Sequence, residues 1–485
     1  MQEDEYVVVG TSFSALSACM YLVSVGLKPV VIDSNLKKSD KFIERFVKPN
    51  LQQPLGLKNQ MHYPNVYAFP KSRTMKYSSN HLFGPTFCTG GYSQVWGNVV
   101  DDSTDSLNRF LNISVNEISE IKNFIKSWLQ LRQVDNFIGD DNIFARINRQ
   151  NSNIEIKMSK FALKTNVFSV DKLEINETDN NSNFSTLDWI QYLADEGLID
   201  LRKGYILHRI EKDIDDKTIL YFSNESDNLV TKATNLYLGT GVASTAQILL
   251  ASKIVNSAII KDSQLILVPF LKFGNSIKRS LAHQNYTRPL FVLKNINQDE
   301  GNFYAQVYNL DKELFQRFDK TKIRFAIKLL KPLILKYVGV IFCYMNEDDS
   351  DSLCMTINRE EFRLNDHRNN FDKNRINLKF KKFTKILVRL GYLPFTFFKR
   401  VMLPGDGFHV GHLQGKISGS LNEVDLTESN GSLKGFKGVY LIDGSSLNFI
   451  SAGPITLAIM INSIRIVKQS ILGFISIKSM GENRE

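Results

Sequence analysis

The sequence predicts an α/β protein in which one part is built around parallel strands and another around an antiparallel sheet. Three observations predict this. Short apolar strands that end in glycine lead into helices at three distant places in the 485-residue chain. The first of these junctions is followed at once by a second strand. Between residues 261 and 398, strand-like runs follow one another without such junctions. The chain is long enough for two domains and a large core.

The first strand–helix–strand unit occupies the N-terminal part of the chain. Val7–Gly10 is short, apolar and β-branched, which is typical of a buried parallel strand. Ala15–Val25 is predicted as a helix that Gly26 ends, and Lys28–Asp33 as the second strand. Strand, helix and strand within about 30 residues form one βαβ unit. A polar stretch, residues 34–79, follows it.

The turn between this strand and helix resembles a phosphate-binding turn. Gly10, Ser12 and Ala15 occupy the three key positions of G-x-G-x-x-G/A, with serine where the backbone normally approaches a pyrophosphate. The Ser12 hydroxyl can donate to a phosphate, and the helix N-terminus favours an anion. Asp33 ends the second strand, where a carboxylate can accept from ribose hydroxyls. Taken alone, the stretch fits either a nucleotide site or a packing turn with an incidental aspartate.

Three later junctions have the same character. Gly90 and Gly91 are adjacent in TGGYSQVWGN, so the backbone there can lie flat against a broad group. NLYLGTG ends a strand and is followed by a helix over Ala243–Ser252. GVYLIDGSS leads to a helix that we expect to begin at Pro454, because proline is favourable in a first helical turn. This last helix offers a second N-terminus to an electron-rich ligand.

Composition limits the other classes of function. The net charge of +10 fits a nucleic acid or an anionic membrane as partner, but no nucleic-acid recognition motif is present, so we expect no nucleic acid. The spacing of the four cysteines predicts neither a disulfide framework nor a metal site. We see no signal peptide and no apolar run long enough to span a bilayer. We therefore expect a cytoplasmic location, including the inner face of the membrane.

Five motifs in order resemble the glucose–methanol–choline (GMC) oxidoreductases, and most closely their pyranose oxidase-like branch. The motifs are VVVGTSFSALSA, TGGYSQVWGN, LYLGTGVASTAQILLAS, FHVGHLQG and GVYLIDGSS with SAGPITLAIM. Members of that family bind FAD and oxidise alcohols to carbonyls. The resemblance implies a discontinuous Rossmann-like FAD-binding domain and an α+β substrate domain with an antiparallel sheet. The first would comprise residues 1–105, 195–260 and 403–475, the second residues 106–194 and 261–402, with a tail of residues 476–485.

The resemblance also implies which residues hold the FAD. Gly10, Ser12 and Ala15 would hold its pyrophosphate, and Asp33 would bind the adenosine ribose. The flavin ring would lie along Gly90, Gly91, Ser93 and Gln94. Leu207 would lie beside the adenine, and Gly239 and Gly241 would pass close to the cofactor. Asp443, Gly444 and Ser445 would contact the ribityl and pyrophosphate region. The helix that begins at Pro454 would point at the pyrimidine edge of the flavin.

Two histidines in LPGDGFHVGHLQG are candidates for the catalytic base. The resemblance implies that His409 removes the hydroxyl proton while hydride passes to flavin N5, and imidazole suits this task because its pKa lies near neutral pH. The loop is shorter than in the family, so His412 is the second candidate. From the residues alone, the interpretation of His409 as a hydrogen-bonded turn histidine is favoured, and only the resemblance favours it as the base. A metal pair is disfavoured, because Gly411 predicts a turn and no further ligand cluster is present.

One position departs from the family. Gly453 stands directly before Pro454, where the family has a histidine or asparagine as second polar partner for the substrate hydroxyl. Either Asn448 or Ser451 substitutes for it, or the chemistry has changed, or the enzyme is slow or inactive. We expect a sugar, a polyol or a lipid- or nucleotide-linked sugar as substrate, with an electron acceptor that the sequence does not identify. The alternatives are a flavin-dependent reductase or desaturase acting on a lipid-like substrate, and a flavin-binding protein with little turnover.

Two segments combine basic and apolar residues, 312–339 and 380–400. Each fits a helix whose apolar side faces the core and whose lysines face water. Each also fits a basic amphipathic helix that contacts an anionic membrane beside the substrate entrance.

Overall fold

The computed structural model describes most of the chain. The described residues are 3–35, 43–45, 68–70, 75–78, 81, 83–95, 99–133, 141–150, 153–158, 160–165, 178–224, 227–274, 276–277, 289–295, 303–309, 331–359, 361–367, 373–417 and 422–482. Most of the polar stretch after the first βαβ unit, the end of the second glycine loop and residues 312–330 of the first basic segment lie outside the described residues.

The helices of the described residues, numbered in chain order, are α1 (Phe13–Ser24), α2 (Thr104–Leu111), α3 (Val115–Lys126), α4 (Asp141–Gln150), α5 (Thr186–Asp195), α6 (Val242–Ala251), α7 (Lys331–Tyr337), α8 (Lys373–Arg389) and α9 (Thr456–Glu482). The strands of the first half of the chain are β1 (Glu3–Val9), β2 (Val30–Asp33), β3 (Ile43–Arg45), β4 (Ala68–Pro70), β5 (Met75–Tyr77), β6 (Val99–Val100), β7 (Gln130–Gln133), β8 (Ile154–Lys157), β9 (Lys160–Thr165), β10 (Thr178–Asn183), β11 (Asp200–Lys203), β12 (Ile206–Lys212), β13 (Thr218–Ser223) and β14 (Asn228–Leu238). The strands of the second half are β15 (Val255–Asp262), β16 (Leu265–Lys272), β17 (Phe291–Asn295), β18 (Phe303–Asn309), β19 (Val338–Met345), β20 (Leu353–Asn358), β21 (Glu361–Asp366), β22 (Tyr392–Pro394), β23 (Arg400–Val401), β24 (Val410–Ile417), β25 (Val424–Asp425) and β26 (Val439–Leu441).

The first sheet contains the predicted βαβ unit. Its strand order is β11-β2-β1-β14-β13-β12, and β26 pairs with the C-terminal part of β14. The strands β11, β2, β1, β14 and β26 are parallel neighbours, whereas β12, β13 and β14 form an antiparallel meander. Successive residues of β1 enter different cores: Val8 packs with α1 and α9, while Val7 and Val9 pack with α6. Burial on both faces explains why this strand is apolar throughout.

Two further large sheets form the antiparallel part. One has the order β25-β24-β15-β20-β21-β5, in which only the β21–β5 pair is parallel, and shares a core with α6. The other has the order β22-β16-β19-β18-β17-β8 with β23 beside β16, and all its pairs are antiparallel. The α4 and α8 helices cover one face of this third sheet. The predicted fold class, a Rossmann-like part with an antiparallel part, is confirmed.

Some predicted boundaries differ from the observed ones. The sequence of Asn116–Gln133 predicts one helix throughout, and its last part is wrong: α3 ends at Lys126, and the chain then enters β7. The Trp128 side chain, which follows the helix, is fully buried between them. The last helix continues to Glu482, through most of the expected tail. The division into domains stays a prediction, and α2, α3 and α5 share the core that α1 and α9 form.

No helix among the described residues is long and apolar enough to cross a membrane.

Candidate active site

The candidate site is a cavity at the carboxyl ends of the parallel strands, where ligands usually bind in open α/β sheets. Its volume is about 310 Å³. One side is formed by the residues that follow β1, β2 and β14, and the other by side chains of β18 and β19 from the third sheet. Of the residues predicted to contact FAD, those that line the cavity are Gly10, Ser12, Asp33, Gly91, Ser93, Leu207, Gly239, Gly241, Asp443, Gly444 and Pro454. Those that lie outside the cavity lining are Ala15, Gly90, Gln94 and Ser445.

The turn after β1 is set by a close approach to the end of β14. Gly10 has φ +111°, and a Cβ atom there would lie 2.5 Å from the carbonyl oxygen of Gly239. Ser12 precedes the first residue of α1, and its Oγ donates to the same carbonyl at 3.3 Å. Ala15 is fully buried beneath this contact, which explains why it does not reach the cavity. The small residues of this motif are therefore required by strand packing itself.

Asp33 ends β2 inside the cavity. Its Oδ1 accepts a hydrogen bond from Thr11 Oγ1 at 3.1 Å, and Thr11 in turn accepts one from the Gly90 amide at 2.7 Å. Asp33 Oδ2 is buried and has no hydrogen-bond partner among the described residues. Burial raises the pKa of the carboxyl group. A buried oxygen without a partner is costly, so this atom marks a position where a ligand hydroxyl would be stabilising. Thr11 was not predicted, although it lies within the glycine motif.

The second glycine loop forms a 3₁₀ turn over Gly91–Val95. Gly90 and Gly91 both have positive φ, +78° and +54°. A Cβ atom on Gly90 would overlap the Gln94 amide, so these two residues pack on each other behind the lining. Ser93 Oγ donates to the Gly90 carbonyl at 2.6 Å and lies 2.7 Å from Thr186 Oγ1. The loop thus faces the cavity through Gly91 and Ser93.

The two later junctions meet at Asp443. Its Oδ1 accepts from the Ser445 amide at 2.8 Å, and its Oδ2 accepts from Thr245 Oγ1 at 2.7 Å, so both oxygens are held by the protein. Burial raises the pKa of this carboxyl group as well. Gly241, the N-cap residue of α6, has φ +83° and open space where a Cβ atom would be. No local pattern marks Thr245, because its partner lies about 200 residues away in the chain.

His409 lies on the side of the cavity formed by the third sheet. Its ring stacks on the Tyr344 ring, with centroids 4.1 Å apart and planes inclined by 19°. Its Nδ1 atom is buried and has no hydrogen-bond partner among the described residues. Burial lowers the pKa of His409 to about 4, so the imidazole is neutral near pH 7. A neutral imidazole that borders a cavity can accept a proton.

His412 lies outside the cavity lining and has a different role. Its Nδ1 is 2.8 Å from Glu347 Oε1, and its Nε2 is 3.0 Å from Asp425 Oδ1. Burial alone would lower its pKa, but the hydrogen bonds that the ring donates to the Asp425 and Glu347 carboxylates outweigh burial and raise the pKa to about 9. A protonated ring whose nitrogens both face carboxylates cannot take a proton from a substrate. The geometry therefore favours His409 over His412 as the base.

Gly453 is explained by packing. Its φ is +122°, and a Cβ atom would lie 3.3 Å from the ring of Tyr304, a fully buried residue of β18. Neither expected substitute lines the cavity: the Asn448 amide donates to the Leu111 carbonyl at 2.7 Å, and Ser451 is buried elsewhere. The Tyr304 ring therefore leaves little room for a side chain at this position, and the positive φ also favours glycine there.

Two polar residues on the same strand do reach the cavity. Gln306 and Tyr308 lie on the same face of β18 as Tyr304, because residues two apart on a strand share a face. The Tyr308 hydroxyl donates to Gln306 Oε1 at 2.7 Å. The sequence analysis did not identify them, since the strand pattern QVY carries no signal for a site.

Solved structures share this fold over nearly the whole chain. Pyridoxine 4-oxidase from Mesorbium loti superposes with a TM-score of 0.59 at 11% identity, covering 96% of this chain and 99% of its own. A formate oxidase from Aspergillus oryzae RIB40, studied for FAD modification, gives 0.60 at 9% identity, covering 97% and 98%. The chain has the fold of these two oxidases. The resemblance to the GMC oxidoreductases is thereby confirmed for the fold. No protein-family model matches the sequence, and no curated protein sequence matches it.

Restoring the polar residue of the family at position 453 is expected to destabilise the protein. Gly453→Asn places a Cβ atom against the Tyr304 ring at a backbone angle that favours glycine, which should cost about 1–3 kcal/mol of unfolding free energy. Chemical denaturation measures this. Gly435→Asn is the matched control, because Gly435 has φ +77° but nothing within 4 Å of its Cβ position. Equal losses in the two variants would contradict a specific conflict with Tyr304.

His412→Gln is expected to destabilise the protein in a pH-dependent way. The folded pKa of about 9 lies above the usual value of 6.5, so His412 contributes stability that is complete below pH 6.5 and is lost as pH rises through 9. The shift corresponds to about 3 kcal/mol. Denaturation of both proteins between pH 6 and pH 10 measures the difference. Gln414→Ala, which removes another bond to Asp425, should cost under about 1 kcal/mol. A loss for His412→Gln that does not change with pH would refute the assignment.

Proposed function

We propose that this chain is an FAD-dependent oxidoreductase that oxidises a CH–OH group to a carbonyl. One observation carries the proposal: a single cavity joins the unpartnered Asp33 carboxylate oxygen, at the end of β2, to the neutral His409 imidazole on the opposite side. The order of glycine junctions and the fold shared with two oxidases support it.

The residues of the cavity fit FAD. Asp33 Oδ2 is available to accept from a ribose hydroxyl, as the second strand of such a fold typically provides. Gly10, Ser12 and the N-terminus of α1 would hold the pyrophosphate, and the Gly91–Ser93 backbone would border the flavin. The open space beside Gly241 allows a ligand to approach the backbone closely. FAD, when bound, supplies the two-electron acceptor.

His409 is proposed to take the proton of the substrate hydroxyl. Its burial keeps the ring neutral, and its stacking on Tyr344 holds the ring in one orientation. Gln306 and Tyr308 take the place of the polar residue that Gly453 lacks, since they offer an amide and a hydroxyl on the adjacent strand face. In this arrangement the second polar partner comes from the sheet rather than from the loop before α9.

The proposed substrate is a sugar or polyol, including a lipid- or nucleotide-linked sugar. The lining near His409 combines the aromatic side chains of Tyr308, Phe342 and Tyr344 with the Gln306 amide. An apolar wall with a few placed polar groups is typical of small-molecule sites, and the polar groups fix the orientation of the ligand. A base poised beside this wall favours alcohol oxidation over the reduction or desaturation of carbon–carbon bonds, which would not require His409.

FAD binding is expected to depend on Asp33. Asp33→Asn should weaken FAD binding about tenfold or more, because an amide has a single acceptor oxygen, which cannot serve both Thr11 Oγ1 and the ribose hydroxyl. Titration of the apoprotein with FAD, followed by flavin absorbance, measures the affinity. Glu5→Gln removes an exposed carboxylate from the adjacent strand and should leave the affinity unchanged. Absence of flavin bands in the purified protein, with no uptake of FAD on reconstitution, would overturn the assignment of the cofactor.

Flavin reduction is expected to depend on His409. Anaerobic mixing of the FAD-loaded protein with a panel of sugars, polyols and nucleotide sugars should bleach the flavin with at least one of them. His409→Gln should slow this step by about 10²–10⁴-fold with FAD affinity unchanged. The wild-type rate should fall only as pH drops towards 4, since His409 loses its ability to accept a proton when it becomes charged.

The controls separate the alternative functions. His208→Gln changes a histidine on β12 that does not line the cavity and should leave the rate unchanged. An unchanged rate in His409→Gln would exclude this histidine as base and favour a reductase or desaturase. A flavin that no alcohol reduces would favour a flavin-binding protein with little turnover.

A further inference from the structure

Exposed apolar side chains lie near β16, towards the edge of the third sheet where β22 and β23 pair with this strand. Leu271 of β16 pairs with Val338 of β19 on one side and with Leu393 of β22 on the other, so the end of β16, the start of β19 and the short β22 lie together. The apolar tip, as we name it, comprises Phe273, Leu333, Leu393, Phe397 and Phe398. The exposed fraction of the side chains is 99% for Phe397 and 74% for Phe398, and 40–55% for the other three.

This concentration is unusual for a surface exposed to water. Single exposed apolar residues are common, but a group of them usually marks a site of interaction. The turn that carries the two phenylalanines is well defined, because the Phe395 amide donates to the Pro269 carbonyl at 2.8 Å and the Phe398 amide to the Phe395 carbonyl at 3.0 Å. The two phenylalanines therefore project from a turn that the backbone hydrogen bonds hold against β16.

A strongly basic surface adjoins the tip. Residues 373–400 contain nine lysines and arginines and no aspartate or glutamate. One face of α8 is buried, with Phe380 and Phe383 packed on Phe303. Leu378 and Val388 of this helix are exposed, and the two most exposed phenylalanines, Phe397 and Phe398, lie in the turn that follows β22. The exposed basic side chains of this helix are Lys381, Lys382, Lys385 and Arg389.

We propose that the apolar tip and the basic face of α8 dock on an anionic lipid bilayer, with Phe397 and Phe398 inserted among the lipids. Lysines beside exposed aromatic residues are typical of proteins that lie on membrane surfaces, since anionic headgroups attract the charges and the aromatic rings enter the interface. A second copy of this chain is a poorer partner, because it would bring two basic faces together. Protein interfaces are also depleted of lysine at their centre.

The location of the tip has a geometric consequence. β16 begins at Leu265, which lines the cavity. The turn that carries Phe397 and Phe398 lies beside the middle of this strand, because the Phe395 amide bonds to Pro269 and Arg400 pairs with Leu267. Two to four residue steps of extended strand, roughly 7–13 Å, therefore separate the cavity lining from the strand residues beside this turn. The docking proposal itself does not depend on the proposed oxidation chemistry.

Vesicle binding by the full-length protein tests the proposal. The protein should co-sediment with vesicles of phosphatidylcholine and phosphatidylglycerol, bind phosphatidylcholine vesicles much more weakly, and dissociate at high salt. Phe397→Ser combined with Phe398→Ser should lower the partition coefficient at least about tenfold, because two apolar rings no longer leave water. Lys381→Gln with Lys382→Gln and Lys385→Gln should abolish the preference for anionic vesicles.

A matched control variant tests whether any exposed apolar residue, or only the apolar tip, contributes to vesicle binding. Ile214, in the turn between β12 and β13, is also 99% exposed, and Ile214→Ser should leave vesicle binding unchanged. Thermal melting establishes that every variant is folded. The proposal is overturned if the wild-type protein does not bind anionic vesicles, or if the double phenylalanine variant binds them equally well. It is also overturned if the phenylalanine substitutions dissolve a dimer of this chain while vesicle binding persists.

Discussion

The close approach of Gly10 to Gly239 is the contact on which the candidate site depends. The Gly10 amide donates to Ile32 at 2.9 Å and the Gly239 amide to Val9 at 2.9 Å, so these turns tie the ends of β1, β2 and β14 together. A Cβ atom on Gly10 would lie 2.5 Å from the Gly239 carbonyl oxygen, so a larger residue would force the strands apart. Ser12 is compatible with the turn because its hydroxyl bonds to that same carbonyl. The cavity opens where these ends meet.

Two histidines three residues apart have opposite charge states because their surroundings differ. Desolvation governs His409 and keeps it neutral, whereas the carboxylates of Glu347 and Asp425 keep His412 protonated. Glu347 also accepts from the Ile450 amide at 2.6 Å. Protonated His412, through Glu347, thus connects the loop that carries His409 to Ile450 in the segment before α9. Gly411 allows this, since a Cβ atom there would lie 2.6 Å from the carbonyl oxygen of Gly444.

The sequence was sufficient where the signal is local. The βαβ unit, the glycine junctions and Asp33 follow from patterns within about 30 residues, and the structure brings most of them to one cavity. Contacts between distant segments were not predictable. Tyr344 against His409 and Thr245 against Asp443 join residues far apart in the chain, and only the sheet topology brings them together. The same reason explains why residues 380–400 were interpreted as a helix, whereas Phe397 and Phe398 lie in the turn that follows β22.

The Gly453–Tyr304 contact shows why a missing residue at one position is not evidence for lost chemistry. The two residues determine each other: the ring of Tyr304 occupies the space beside Gly453, and the glycine allows the ring to lie there. Substitutions at contacting positions are not additive, so the effect of a change at one depends on the residue at the other. Once β18 contributes Tyr304 at this place, its next residues on the same face, Gln306 and Tyr308, reach the cavity as well. The strand that excludes a side chain from the loop therefore also presents polar groups of its own.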